Sequence, residues 1–184
     1  ADPETGVLYV PSATSPFVAA MVHDPEHSDM NYITKTVILE KINKSVPIVK
    51  PPYGRITAYD LNSGDELWMV PNGQPPDEIK NNAVLKGIDT SKFGNPERAL
   101  LLATKTLLFS ADATGLTPVN GSYASTFRAL DKKTGEAIFE FKLPAHATGI
   151  PMTYLAKGRQ YIVLAVGGRD EPAELVALAE PSPE

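Results

Sequence analysis

The feature that most constrains this chain is a hairpin-sized pattern written twice. Residues 54–70 read GRITAYDLNSGDELWMV. The segments 56–61 and 67–70 are rich in β-branched and aromatic residues, and Asn62-Ser63-Gly64 between them is the turn signal of two antiparallel strands. Residues 127–141, FRALDKKTGEAIFEF, repeat the design at an offset of 71 positions. Ala58 falls on Ala129, Asp60 on Asp131, Gly64 on Gly135, Asp65 on Glu136 and Trp68 on Phe139. A third, shortened copy closes the chain, where residues 175–178 overlay residues 127–130. The chain therefore reads as a repeat protein built from β-hairpins.

Each repeated residue has a structural job. Asp60 and Asp131 are expected to accept turn N–H groups, as Asx residues do. Gly64 and Gly135 are expected to supply positive φ in those turns. Trp68 and Phe139 are expected to wedge between neighbouring sheets, where a large ring buries much area.

Around the hairpins the sequence places further strands at 7–11, 32–39, 99–103, 107–111, 150–155 and 160–166, with one helical turn near 77–84. The polar run 23–31 and the proline-rich segment 46–53 belong to an irregular insertion over 13–52. Proline cannot donate into a sheet ladder, so 46–53 should run extended over other structure. Four-stranded units in succession, each closing on an aromatic, are the mark of a β-propeller. The expected division is an incomplete blade over 1–71, a complete blade over 97–143, and a last blade over 147–184 lacking one strand. Residues 2–6 read as a turn whose first strand would lie upstream of Ala1, so the chain reads as a piece of something longer.

Composition narrows the function. With 17 Lys and Arg against 22 Asp and Glu, the net charge is -5, and no basic face stands out to displace counterions from nucleic acid. Absence of cysteine excludes disulfides, thiolate catalysis, cysteine-held zinc and covalent haem. The apolar runs are strand-length and too short to cross a bilayer as a helix. Seventeen prolines, about twice the usual share of ~5%, suit a chain of many turns.

Three other groupings carry little chemistry. His23, Asp24, Glu26, His27 and Asp29 have metal-ligating side chains, but Pro25 breaks the helix that would align the two imidazoles. His146 has no Ser or Asp at a triad-building local spacing. Residues 167–172 are glycine-rich yet lack the Lys-Ser/Thr and following helix of a phosphate loop.

The run KPPYGRITAYDLNSGDELWMVPNG resembles the quinoprotein dehydrogenases, the glucose and alcohol dehydrogenases that depend on pyrroloquinoline quinone (PQQ). So do ADPETGVLYVPS, TKTLLFSAD, FRALDKKTGE, TGIPMTYLAKGRQYIVLAVGG and PAELVALA. The likeness is collinear over nearly the whole chain, breaks mainly over 13–45, and is greatest to the soluble, sugar-dehydrogenase-like branch. It implies an all-β, eight-bladed propeller, of which this chain resembles the last two to three blades, and a periplasmic setting. It also implies PQQ and calcium on the propeller axis, with a sugar or alcohol giving hydride to the quinone. No position here matches the calcium ligands or the catalytic aspartate, so no catalytic and no metal residue is assigned. One cofactor-binding residue is implied, Arg98, which fits the family's arginine position and would pair with a quinone carboxylate. The family's following glycine pair is replaced by Ala99 and Leu100. That departure keeps a second reading open, a non-catalytic propeller module for assembly or binding. As partners the resemblance implies the remaining blades, with self-association as the substitute, since unpaired strand edges and apolar faces are expected.

Overall fold

The computed structural model describes residues 1–14, 16, 18–37, 46–113, 125–168 and 171–180. Twelve strands are seen among them, with a single four-residue α-helix, Asp77–Lys80, and one 3₁₀ turn, Ala83–Leu85, covering the predicted helical turn.

The first sheet holds β1 (Val7–Ala13), β4 (Gly54–Asp60) and β5 (Glu66–Pro71), in the order β1-β4-β5. The insertion between β1 and β4 carries a separate ribbon of β2 (Val18–Val22) and β3 (Ile33–Val37). Strand β2 was not expected, because a short apolar run without alternation gives no periodic signal. The strand predicted over 32–39 is seen as β3, and its last two positions lie outside the described residues.

The second sheet is four-stranded, with β6 (Arg98–Ala103), β7 (Leu107–Ala113), β8 (Thr126–Asp131) and β9 (Ala137–Lys142) in sequential order. Strand β7 is buried along nearly its whole length, as a strand covered on both faces must be, whereas β9 is exposed throughout. The third sheet holds β10 (Met152–Ala156), β11 (Arg159–Val166) and β12 (Glu174–Ala179). All in-sheet pairings are antiparallel.

The two long hairpins are copies down to their irregularities. Ala58 pairs with Trp68 and Ala129 with Phe139, and the register slips directly after Ala58 in one and Ala129 in the other. In each turn the aspartate carboxylate accepts backbone N–H groups, from Asn62 at 2.7 Å and from Lys133 at 2.7 Å. Gly64 and Gly135 sit at φ 81° and 75° and donate to the carbonyls of Asp60 and Asp131.

The sheets stack face to face. Between the first and second lie Tyr9, Ile56, Ala58, Leu108 and Leu130, flanked by Trp68 and Val70. Between the second and third lie Phe109, Ala111, Phe127, Ala129, Leu164 and Val166, with Phe109 and Phe127 stacked at 5.5 Å. Trp68 crosses from the first sheet to the second. Its ring covers Gly135, where a Cβ would come within 2.7 Å, and its Nε1 donates to the Lys132 carbonyl at 3.0 Å. Phe139 departs from its expected wedge role. It is 52% exposed, because no strand beyond β12 is present among the described residues to lie over it.

The proline-rich segment is less regular than the extended run expected: it bends at 48–49, 51 and 53 and is anchored at its two ends. Val46 and Tyr53 are buried, and Tyr53 packs edge-on to Phe93 above Ile79 in a small satellite core.

Candidate functional site

Antiparallel pairing sorts the connections onto two ends. Tight turns at 61–65, 104–106, 132–136 and 157–158 occupy one end. At the other meet the end of β1 and start of β4 (Ala13 opposite Gly54), the start of β6 and end of β7 (Arg98 opposite Ala113), and the start of β8 and end of β9 (Thr126 opposite Lys142). The long connections leave from this second end, and both cavities open there.

The larger cavity, about 410 Å³, surrounds Arg128 on β8. Arg128 is buried and binds the Asp112 carboxylate through both terminal nitrogens, at 2.9 and 2.7 Å. It also reaches Asn72 Oδ1 at 3.3 Å and Glu140 at 3.2 Å. Burial pulls its pKa down, but hydrogen bonding to Asp112 and the charges of Asp112 and Glu140 outweigh that and hold it above its ordinary value. Two further pairs lie on this wall: His146 Nδ1 is 3.3 Å from Glu171 Oε2, and Lys80 is 3.6 Å from Asp77. Arg128, Asp112 and Glu140 thus form a paired cluster within the second sheet, joined to the first through Asn72.

The smaller cavity, about 290 Å³, has a different character. Its wall is Pro11, Ser12 and Ala13 from β1, Arg55 from β4, and Asn72 with residues 97–100 at the mouth of β6. Here the sheets approach closely, and the local sequence explains how. The Gly54 backbone runs so near Asn95 that a Cβ on Gly54 would lie 1.8 Å from the Asn95 carbonyl oxygen. Asn72 then clamps the segment: its N–H donates to Gly54, its carbonyl accepts from Asn95, and its Nδ2 donates to the Glu97 carbonyl at 3.4 Å. The start of β6 is thereby fixed against the first sheet.

Arg98, the residue singled out from sequence, is the first residue of β6 and is exposed at this wall. Among the described residues it makes no ion pair. Arg55, which the sequence reading passed over, lines the same cavity. It is half-buried, and its Nη1 donates to Thr14 Oγ1 at 2.9 Å and to the Pro52 carbonyl at 3.4 Å. No local pattern in the sequence marks it: in strand β4, Arg55 sits opposite Ser12, and both line the cavity only because the two sheets meet there.

These residues fit an anionic group. Two guanidiniums supply planar donor forks suited to carboxylates, and Leu100 supplies an apolar surface beside them. Ala99 and Leu100 stand on the wall with side chains where a glycine pair would leave bare backbone, so the cavity is narrower at β6. Among the described residues no three His, Asp or Glu side chains gather that could hold a metal ion. His23 instead lies 2.7 Å from the Asn31 carbonyl and His27 lies 2.9 Å from Asp24, both within an exposed loop. Of the glycine-rich loop over 167–172, Arg169 and Asp170 lie outside the described residues. No helix is long and apolar enough to cross a membrane among the described residues.

Comparison with known proteins agrees with the fold. A family model described as PQQ glucose/ethanol/alcohol dehydrogenase, beta-propeller domain, matches residues 1–162. A probable quinate dehydrogenase (quinone) of Xanthomonas campestris pv. juglandis is 30% identical over 67% of this chain, which covers 15% of that protein. The quinoprotein glucose dehydrogenase of Gluconobacter oxydans is 29% identical over 68% of this chain, covering 14% of that protein. The chain thus spans about one seventh of the length of these relatives. A europium-containing methanol dehydrogenase superposes over 90% of this chain and 23% of its own, with a TM-score of 0.55 and 19% identity, a likeness of fold.

Proposed function

The chain belongs to the PQQ glucose/ethanol/alcohol dehydrogenase β-propeller family, and from that membership we propose that it forms the C-terminal sector of a quinone-dependent dehydrogenase oxidising sugars or alcohols. Its own part in that enzyme is one wall of the cofactor site. The observation that carries this reading is Arg98, exposed at the first position of β6 on a cavity wall, in a chain matched to the family along residues 1–162.

When bound, the quinone with its calcium ion supplies the hydride acceptor for the substrate carbon. This chain's residues hold and orient. Arg98 would pair with a carboxylate of the cofactor, Asn72 keeps the β6 mouth in place, and Leu100 would give the site an apolar wall. The metal ligands and the general base belong to blades outside this chain, so the chain alone has no turnover. The periplasm is the compartment this reading entails.

The missing neighbours define the partners. β1 and β12 each have an edge with no paired strand among the described residues, and Met152, Tyr154 and Leu175 leave the third sheet's outer face apolar and exposed. We assign these edges and faces to the remaining blades. The chain by itself is expected to self-associate, and sedimentation as a clean monomer at high concentration would count against that.

A second reading, a propeller module that has lost the cofactor, is favoured by Ala99 and Leu100 alone. Titrating PQQ into the complete polypeptide with calcium present, and following quinone absorbance, separates the two. Saturable binding that is abolished by Arg98→Ala supports the dehydrogenase reading; no binding by the complete polypeptide overturns it.

A further inference from the structure

We propose that Arg55 and Arg98 form a two-armed cleft, between the first and second sheets, for a ligand carrying at least two carboxylates. The two guanidiniums sit on different sheets, at the start of β4 and the start of β6, yet line one cavity of about 290 Å³. With Glu97 as the cavity's one carboxylate side chain, the lining carries a net positive charge in a chain whose overall charge is -5. The internally paired Arg128 site beside it shows what a structural arginine looks like in this molecule: buried, and bidentate to Asp112. Neither Arg55 nor Arg98 has a carboxylate partner among the described residues.

Arg55 is held ready for a ligand. Thr14 Oγ1 and the Pro52 carbonyl both take their hydrogen bonds from Nη1. Among the described residues, Nε and Nη2 make no hydrogen bond, and that pair of N–H groups is the edge a carboxylate meets side-on. Little rotamer freedom is then lost when an anion arrives. Because its arms come from two sheets, the cleft selects a rigid ligand whose carboxylates are separated, and the bound ligand bolts the sheets together at this end. Naming the quinone as that ligand rests on the proposed function above; the cleft itself rests on the geometry of Arg55 and Arg98.

The test uses two probes on this chain, PQQ without metal and pyridine-2,6-dicarboxylate, with affinity and melting temperature as readouts. Expected is binding of both, a rise in melting temperature on binding, and affinity falling steeply with salt. Arg55→Gln and Arg98→Gln should each weaken binding at least tenfold, while Lys133→Gln, on the far turn, should bind as the wild type does. If Arg98→Gln weakens PQQ binding and Arg55→Gln does not, the cleft is wrong and the quinone reading survives. If the simple dicarboxylate binds through both arginines and PQQ does not, the cleft stands and the quinone reading falls. If neither probe binds the wild-type chain, the cleft is overturned.

Discussion

At the scale of residues, a few buried polar contacts brace the molecule alongside its apolar layers. Arg128 is the clearest. Its side chain and that of Asp112 are 6% and 3% exposed, so removing one leaves the other charge uncompensated. Arg128→Met is expected to cost about 3–5 kcal/mol in urea unfolding, and Asp112→Leu added to it should recover much of that loss. Asp2 and Lys132 make a second link, across the turn end of the first two sheets. The hydrogen bond from Lys132, with a smaller one from Thr5, lowers the Asp2 carboxyl from 3.8 to about 2. A carboxyl lowered on folding stabilises fully above its ordinary pKa and loses that contribution as pH falls through the folded value. Melting temperatures of wild type and Lys132→Met should therefore differ above about pH 4 and converge toward pH 2. A gap that stays constant across that window would remove Asp2 from the account. Little of this was legible in the sequence. Asp2 was readable as a turn residue, but its partner lies 130 positions away, and Gly54 is required by Asn95, a contact no local pattern announces.

At the scale of elements, the hairpin turn was the most legible unit, because its chemistry is local. The spacing from aspartate to glycine to aromatic specified both turns, and the turn read over residues 2–6 shares its first half: Gly6 sits at φ 68° with its N–H donating to the Asp2 carbonyl. What the spacing could not reveal is which turns carry load. Gly64 and Gly135 look alike in sequence, yet a Cβ on Gly64 meets nothing within 4 Å, whereas on Gly135 it meets Trp68 at 2.7 Å and Val70 at 2.9 Å. Gly64→Ala should cost only the left-handed strain, about 1–2 kcal/mol. Gly135→Ala should cost clearly more, since it must also displace the indole. Equal losses in denaturant titrations would mean that the first sheet does not rest on the second. Phe139 makes the complementary point. Its sequence position promised a wedge, but a wedge requires a neighbour, and its ring stays half in solvent.

At the scale of the whole molecule, the fold class was legible, and of the proposed cleft only one arm was named from the sequence. Successive small antiparallel sheets stack face to face, and a chain so built presents its long connections at one end, where both cavities lie. Arg98 could be placed at that end from the family's pattern. Arg55 could not, because its importance arises from two sheets meeting rather than from a motif. The first and second sheets face one another through Trp68 and the turn over 131–136. Trp68 is the one tryptophan in the chain, so its indole N–H can be followed without ambiguity. Its hydrogen exchange, measured by NMR, is the most direct test. The account predicts an indole proton protected as well as the amides of β7 and β8, with Gly135→Ala selectively abolishing that protection. An indole proton that exchanges as in a free peptide, while those amides stay protected, would contradict it.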